Sequence, residues 1–379
     1  MQVLTEAVGA TDKGIEVISN LQILRGLAAL GVVFYHTNYR LPGDWHTEFF
    51  GVSTFFVISG FIMCLITRDP EGGDATSRGF MMRRAIRIVP FYWLCTFALI
   101  VLLNRPQITW HIDPIFAWAS VNVPHLLRSL FFVPSETFPM LGVGWTLNFE
   151  VYFYVVFAFA ILLSRTFAPV IAAAIVYAVF KASASGVDNW LIKFYSHGYI
   201  YFFLHGIALF YIWWFTKDHL KKSPIWIRLP VIVICGLIVV VVYGSQFIPP
   251  QPDLTTFVYF PVLLVAAAIF AASAGADINW GPLVLLGDAS YAIYLTHTIT
   301  IEKFRQNMPI FKDSGWSTLL IIIIATAVGI LVHLYIEKPM LGWIRTRLWT
   351  PAKPESERTA ALVKTKGHKS DDITIAASS

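Results

Sequence analysis

Two ionisable side chains lie inside the first long apolar run of the chain, LQILRGLAALGVVFYHT. Arg25 and His36 are eleven residues apart, so a helix places them on one face, about 16 Å from each other. Ala29 and Val32 lie between them on that face, and they either leave room for a slender ligand or let a neighbouring helix pack closely. An ionisable group inside a membrane costs roughly 2.5–3.5 kcal/mol, which makes each a candidate functional group. The alternative is that Arg25 snorkels to the surface and His36 only hydrogen-bonds a neighbour.

A second group of charges opens the third apolar run, in MMRRAIRIVPFYW, which contains Arg83, Arg84 and Arg87. Arg84 and Arg87 are three residues apart and share a helical face. Guanidinium groups at this spacing can hold phosphate bidentately, although a basic cap on a cytoplasmic helix end is common. Together with Arg25 and His36, they predict a long, thin ligand with phosphates at one end. Acyl-coenzyme A has this shape, and its thioester would point toward His36.

The fourth run opens with GWTLNFEVYFY and carries Glu150 among aromatic residues. A carboxylate paired with His36 would fix the imidazole tautomer and stabilise the imidazolium, as the third member of a histidine-centred acid–base device does. The alternative is a glutamate that faces the outer aqueous loop. We predict that His36 and Glu150 are the catalytic residues.

Aromatic and histidine side chains on the ninth run, LLGDASYAIYLTH, suit a sugar acceptor. Tyrosine and histidine can line its path through hydrogen bonds and ring stacking. An interfacial aromatic belt explains the tyrosines equally well. We predict that Trp145, Tyr291 and His297 bind the acceptor.

The other reactive residue types predict no further chemistry. Cys64, Cys95 and Cys235 lie inside apolar runs without disulfide or metal spacing and are interpreted as small buried hydrophobes. Glycine-rich phosphate loops and metal-ligand motifs are absent from the sequence, so we predict no metal. Glu337, in YIEKP, is interpreted as a packing or ion-pair residue at the end of the tenth run, where Pro339 is expected to stop the helix.

The composition indicates which elements must position these residues. Hydrophobic residues make up 56% of the chain and charged residues 13%, with a mean hydropathy of +0.64. Globular domains have about 45–50% apolar and about 25% charged residues, so the composition and the length of the apolar runs disfavour the alternative of a soluble, core-rich enzyme. The net charge of +5 would suit nucleic acid, but the cations lie between apolar runs, as insertion bias predicts. We therefore predict an all-α integral membrane protein with no separate soluble domain and no nucleic-acid partner.

The apolar runs predict ten membrane spans with both termini in the cytoplasm. The spans are placed at 21–39, 50–67, 87–104, 144–164, 167–182, 199–216, 229–247, 256–274, 283–301 and 317–336. This topology puts 19 lysines and arginines on the cytoplasmic side and 8 outside. Residues 1–20 lack signal-peptide features and form a cytoplasmic segment, 21–340 form the membrane domain, and 341–379 are predicted to be a disordered cytoplasmic tail. Residues 105–143 form the longest outer loop, within which 126–133 lie at the interface or re-enter.

Six motifs together resemble acyltransferase family 3, and within it the short members that acetylate exopolysaccharides. They are LQILRGLAALGVVFYH, FFGVSTFFVISGFIM, RRAIRIVPFYW, GWTLNFEVYFY, GDASYAIYLTH and YIEKP, in the family's order over 21–340. The resemblance implies a ten-helix, multi-pass fold in a bacterial inner membrane and an acetyl-CoA (acyl-CoA) donor on the cytoplasmic side. It also implies O-acylation of a glycan or its lipid-linked precursor. The family's Arg-to-His pattern falls on Arg25 and His36 and its Arg-x-x-Arg pattern on Arg84 and Arg87. This chain departs from the family at Phe149, where an acidic residue usually precedes Glu150.

Two mechanisms and two other functions remain open at the level of sequence. His36 acts either as general base on a sugar hydroxyl or as a covalent acyl carrier. The rival function is a glycan or lipid flippase, although the two halves lack the internal repeat that transporters usually have. A structural subunit of a polysaccharide export assembly would not explain the buried Arg25 and His36. Membrane lipids and a polysaccharide biosynthesis or export assembly are the expected partners.

Overall fold

The computed structural model describes residues 18–38, 51–68, 76–103, 123–245, 254–307 and 315–348, and every regular element among them is helical. The first seven helices are α1 (Ser19–Asn38), α2 (Gly51–Thr67), α3 (Ser77–Leu103), α4 (Val123–Leu130), α5 (Trp145–Leu163), α6 (Ala168–Ala184) and α7 (Trp190–Tyr195). The other seven are α8 (Ile200–Lys222), α9 (Ile225–Ser245), α10 (Leu254–Ser273), α11 (Gly281–Asp288), α12 (Ser290–Asn307), α13 (Gly315–Val332) and α14 (Lys338–Leu348). A 3₁₀ turn, Gly142–Gly144, precedes α5, and a π-turn, His333–Glu337, joins α13 to α14.

Each predicted apolar run falls on helical chain, which confirms the all-α prediction for the residues that the structure describes. Among the described residues, four helical stretches are long and apolar enough to cross a membrane: Ser77–Leu102, Gly142–Leu163, Ile225–Ser245 and Trp316–Arg347. Of the other predicted spans, α2 and α6 have only 17 residues each, and α12 carries Glu302, Lys303 and Arg305. The number of ten spans and the cytoplasmic termini stay predictions.

The outer surface of the helices is apolar. In α9 only Cys235 and Val242 are buried, while residues such as Val233, Ile234 and Leu237 are more than half exposed. Water-soluble monomers do not expose continuous apolar surface of this kind. Hydrocarbon is the solvent that suits it, so the structure is that of a membrane protein.

Helices α2 and α8 touch backbone to backbone. A Cβ atom added at Gly60 would lie 2.2 Å from the Phe203 carbonyl oxygen, and one at Gly206 would lie 2.1 Å from the Val57 carbonyl oxygen. Small residues allow this approach between membrane helices, where dispersion contacts replace the hydrophobic driving force. Around the contact, Phe56 stacks on Phe203 with ring centroids 4.7 Å apart.

Helix α1 is held equally closely on the face that joins Arg25 to His36. Ala29 is fully buried in a cluster with Ala289, Ile293 and Ala325. Val32 packs against Gly51, where an added Cβ atom would lie 2.6 Å from the Val32 methyl carbon. Of the two readings of these small residues, the structure supports close helix packing.

The loop region before α5 packs onto α3 through a short helix. Trp93 donates its indole N–H to the Leu130 carbonyl at 2.8 Å, and the hydroxyls of Tyr92 and Ser129 lie 2.9 Å apart. The stretch 126–133, expected at the interface or re-entrant, thus lies against α3 as the end of α4 and the turn after it. Residues 104–122 of the predicted outer loop lie outside the described residues.

Two helix boundaries differ from those predicted. The ninth run is broken at Ala289 into α11 and α12. Pro339 was wrongly expected to stop the tenth helix: α14 continues to Leu348, because the preceding π-turn shifts the hydrogen-bond register and proline is tolerated in a first turn. Residues 341–348, assigned to the disordered tail, are therefore helical, and 349–379 lie outside the described part of the chain.

The π-turn contains a buried hydrogen bond between a histidine and a glutamate. His333 Nδ1 lies 2.7 Å from a Glu337 carboxylate oxygen, and both side chains are buried. The contact agrees with the interpretation of Glu337 as a packing or ion-pair residue. The three cysteines are likewise free and buried, as expected.

Candidate active site

A cavity of about 710 Å³, counted with its mouth, lies between helices α1, α2, α3, α5 and α12. Its polar lining residues are Arg25, Ser59, Arg84, Arg87, Thr146, Glu150, Tyr154, Ser290, Tyr291 and Tyr294. Its apolar lining residues are Val52, Phe55, Phe56, Ile58, Ile62, Met63, Ile88 and Leu147. Apolar side chains beside several converging polar groups are a combination that can bind and orient a small molecule.

Arg25 is held inside the bundle. Its guanidinium group donates to the Ser290 hydroxyl at 3.2 Å and to the Gln22 amide oxygen at 3.4 Å, and Gln22 in turn donates to Asp288. The side chain is only 5% exposed. Arg25 therefore does not snorkel to the surface, and its charge faces the cavity.

Two of the three arginines at the start of α3 also reach the cavity. Arg84 and Arg87, one helical turn apart, line it, whereas Arg83 does not. Arg84 is 2% exposed, and its guanidinium carbon lies 5.7 Å from the Phe80 ring centroid and 5.8 Å from that of Tyr154. Aromatic faces hold the guanidinium plane in place while its charge faces a low-dielectric space.

Glu150 lines the same cavity and accepts a hydrogen bond from the Tyr154 hydroxyl, one turn further along α5. The predicted pairing of Glu150 with His36 is wrong: these two described side chains form no hydrogen bond. Glu150 instead shares the cavity with Arg25, Arg84 and Arg87, and His36 does not line that cavity. Phe149, at the position of the missing acid, stacks on Phe194 with centroids 4.7 Å apart and belongs to the aromatic core.

The predicted acceptor residues divide between two environments. Tyr291 lines the cavity and donates to the Ile88 carbonyl at 3.0 Å. Trp145 does not line it and packs against Tyr199, with centroids 5.1 Å apart.

His297 meets His36 above the cavity. His297 Nε2 lies 3.1 Å from His36 Nδ1, and the two side chains are 0% and 8% exposed. Neither lines the cavity, but the Tyr294 ring, which does, lies 6.0 Å from the His297 ring. Tyr294 thus separates the histidine pair from the cavity.

The apolar wall on α2 was missed at the level of sequence. Val52, Phe55, Ser59 and Ile62 recur every three or four residues, which is the spacing of one helical face. The same spacing links Glu150 to Tyr154, which was also missed. Within the described residues, no three His, Cys, Asp or Glu side chains come together as metal ligands.

A helical membrane protein with an internal cavity that is cationic on one side and apolar on the other is the class that these features define. Residues 18–338 match the acyltransferase domain of acyltransferase family 3, and the chain belongs to this family. It is similar to the exopolysaccharide production protein ExoZ of Rhizobium meliloti (strain 1021), with 31% identity over 305 residues, 78% of this chain and 90% of that protein.

A longer relative is also similar to the chain. It is the "Putative peptidoglycan O-acetyltransferase YrhL" of Bacillus subtilis (strain 168), with 27% identity over 356 residues. The alignment covers 85% of this chain and 55% of the relative, so the chain spans about half of that protein's length. No solved structure matches the chain at a significant level.

Proposed function

We propose that the protein is a membrane O-acyltransferase that moves an acetyl group from cytoplasmic acetyl-CoA to a hydroxyl of an exopolysaccharide or another cell-surface glycan precursor. The observation that carries the proposal is the convergence of Arg25, Arg84 and Arg87 on one cavity, in a chain of the acyltransferase family. Two buried arginines, Arg25 and Arg84, and the half-buried Arg87 in one internal space suit a ligand that carries several negative charges.

The charge and the apolar wall of the cavity support coenzyme A as the proposed donor. Its pyrophosphate provides anionic oxygens for Arg84 and Arg87, and its slender pantetheine arm suits the apolar face of α2 that includes Phe55 and Ile62. Under the predicted topology, the arginines lie toward the cytoplasm, where acyl-CoA is available.

The thioester must then reach His36, which lies eleven residues beyond Arg25 on the unbroken helix α1. That separation is about 16 Å, which a molecule as long as pantetheine spans. Tyr294 stands between the cavity and the histidine pair, and its hydroxyl donates to the Val143 carbonyl at 3.0 Å. We propose that the thioester carbonyl lies beside Tyr294, where an acceptor hydroxyl meets it from the outer side.

In the direct mechanism, His36 takes the proton of the acceptor hydroxyl as its oxygen attacks the thioester carbonyl. The carbon–sulfur bond then breaks, the sulfur leaves as thiolate, and the proton on His36 passes to it. The products are the acetyl ester and free coenzyme A. In the alternative, His36 itself attacks and carries the acetyl group to the acceptor.

Glu150 has a different part in this proposal from the predicted one. Its carboxylate shares the cavity with Arg25, Arg84 and Arg87 and keeps their combined charge compatible with a buried site. The hydrogen bond from Tyr154 holds the carboxylate on its own helix.

A glycan is the acceptor class that the relatives' names support. ExoZ is named for exopolysaccharide production and YrhL for peptidoglycan O-acetylation. Both names concern surface carbohydrates that are assembled at a bacterial plasma membrane, which is where we place this protein. A lipid-linked oligosaccharide or a polysaccharide assembly partner is consistent with that location.

The test uses purified full-length protein in nanodiscs. Calorimetry with acetyl-CoA is expected to detect binding to wild type and at least a tenfold loss of affinity in the Arg84→Ala/Arg87→Ala variant. Arg78→Ala is the matched control, because Arg78 is an exposed cation on the same helix. Unchanged affinity of the double variant would contradict the donor site.

The acceptor side is tested in cells. Deletion of the gene is expected to lower the acetate content of the surface polysaccharide, and wild type but not His36→Ala is expected to restore it. With labelled acetyl-CoA and no acceptor, direct transfer leaves the protein unlabelled, whereas the relay labels it through His36. Movement of a glycan across the membrane without thioester loss would identify a flippase.

A further inference from the structure

His36 and His297 form a buried pair whose protons are fixed by two main-chain carbonyl groups. His36 Nδ1 lies 2.9 Å from the Val32 carbonyl oxygen, and His297 Nδ1 lies 3.1 Å from the Ile293 carbonyl oxygen. A carbonyl oxygen only accepts hydrogen bonds, so the nitrogen that faces it must carry a hydrogen. Both rings are therefore protonated at Nδ1.

This assignment decides the direction of the bond between the rings. A neutral His297 with its hydrogen on Nδ1 has a lone pair on Nε2, and this atom lies 3.1 Å from His36 Nδ1. His36 Nδ1–H therefore donates both to Val32 and to His297, as a three-centre bond. The opposite direction would leave two acceptors, His36 Nδ1 and the Val32 oxygen, facing each other at 2.9 Å.

The tautomer leaves the basic lone pair of His36 on Nε2, the nitrogen on the other side of the ring. We propose that His297 is a positioning residue for this base: it fixes the His36 ring and stabilises the imidazolium that forms during transfer. The inference rests on the proposed function, because it takes His36 to be the general base. It gives His297 a role other than the acceptor binding predicted from sequence.

In soluble hydrolases the corresponding position is held by a carboxylate. A carboxylate between α1 and α12 would bring a second buried charge into the membrane, which is costly. The nitrogen of a neutral imidazole can accept the same hydrogen bond without that cost. The position predicted for Glu150 beside His36 is thus filled by His297, from a different helix.

The packing around the pair keeps the two rings in register. Arg305, on α12, donates to the Thr37 carbonyl next to His36 at 2.7 Å and ties the outer ends of α1 and α12 together. One turn below His297, Ile293 is clamped by α13, where a Cβ atom on Gly329 would lie 2.5 Å from its side chain. The distance between the helices is therefore set on both sides of the histidines.

Every proton in the proposed transfer step is accounted for. The proton of the acceptor hydroxyl moves to His36 Nε2 as the oxygen–carbon bond forms, and it later leaves with the coenzyme A thiolate. His297 keeps its own hydrogen on Nδ1 throughout and only accepts the hydrogen bond from His36. Its effect should therefore fall on the chemical step and leave donor binding unchanged.

The test compares two substitutions at one position. In His297→Gln the side-chain amide oxygen can accept from His36 at the reach of Nε2, whereas His297→Leu keeps the volume without an acceptor. We expect His297→Leu to lower kcat by about 100-fold, the scale of lost acid–base assistance, with the KM for acetyl-CoA changed less than threefold. His297→Gln should stay within about tenfold of wild type. His205→Leu, on α8, is the matched control and should keep wild-type kcat.

Equal kcat values for His297→Leu and wild type, or equal losses in His297→Leu and His297→Gln at unchanged melting temperature, would overturn the proposal. Nitrogen NMR of histidine-labelled protein gives an independent readout in wild type, where His36 should be the Nδ1–H tautomer; an Nε2–H tautomer would also overturn it. The two levels of inference separate cleanly. If His36→Ala retains activity, His36 is not the general base. If His36 is essential and His297 is dispensable, only the positioning role of His297 is excluded.

Discussion

At the scale of single residues, two charged groups of the cavity have specific hydrogen-bond partners. Arg25 is bound by Ser290 and Gln22, and Glu150 by Tyr154. Buried charges need such partners because the lost hydration must be replaced by hydrogen bonds or opposite charge. The partners also fix direction, which is what a site for a charged donor requires.

Tyr154→Phe tests this arrangement without changing any charge. It removes the hydroxyl that donates to Glu150, so the carboxylate is expected to turn toward Arg84 and Arg87 and compete with the donor phosphates. Hydrogen bonds to charged groups contribute about 1.5–3 kcal/mol, so the KM for acetyl-CoA should rise by about tenfold or more while kcat changes less.

Tyr152→Phe is the control for that measurement. Tyr152 lies on the same helix, stacks on Tyr195 with centroids 4.1 Å apart, and does not line the cavity. Its KM should equal that of wild type. Equal KM values for all three proteins would show that the Tyr154 hydroxyl does not direct Glu150.

At the scale of elements, the cavity exists because pairs of helices approach closely around it. The contact of α2 with α8 at Gly60 and Gly206 sets the position of the apolar wall, and the contact of α1 with α11 and α12 sets that of Arg25 and His36. The atom nearest to an added Cβ atom in these contacts is often a backbone carbonyl atom, which cannot rotate away as a side chain can. The site is therefore sensitive to residue size at positions outside it.

Gly60→Ala measures this sensitivity. The added methyl group would lie 2.2 Å from the Phe203 carbonyl oxygen, so α2 and α8 must separate. Overpacking typically costs about 1–3 kcal/mol, and the melting temperature in detergent should fall by roughly 2–4 °C for each kcal/mol.

The matched control is Gly236→Ala in α9, where an added Cβ atom meets nothing within 4 Å. Its melting temperature should stay unchanged or rise, because alanine is the better helix former. A Gly60→Ala protein that melts at the wild-type temperature would contradict the close α2–α8 contact.

At the scale of the whole molecule, the helices expose an apolar surface that suits lipid, and the charged side chains of the cavity lie inside. If the donor is cytoplasmic and the acceptor is a surface glycan, the two substrates must reach the site from opposite sides of the membrane. The distribution of 19 positive residues against 8 predicts which side is which.

Single cysteines test that orientation. In a variant with Cys64, Cys95 and Cys235 changed to alanine, Val187→Cys in the loop after α6 should react with a membrane-impermeant maleimide in right-side-out spheroplasts. Lys222→Cys at the end of α8 should react only in inside-out vesicles. Both positions are exposed, so a difference in labelling reports the side of the membrane. Labelling of both from the same side would contradict the topology.

The sequence by itself determined the features that depend on local composition. A span needs about 20 apolar residues, so the helices could be placed from the runs. Because charge is costly there, Arg25, His36, Arg84 and Arg87 stood out individually, and helical spacing put each pair on one face.

Only the tertiary structure decided which of these residues meet. His36 and His297 are 261 residues apart, and Arg25 and Ser290 are 265 apart, so no local pattern reports their contact. Glu150 looked like the partner of His36 because its residue type suited the role, but the packing of α5 puts its side chain in the cavity with the arginines. Residue type and spacing predict the chemistry of which a side chain is capable. The packing of helices that are distant in sequence decides which partner that side chain meets.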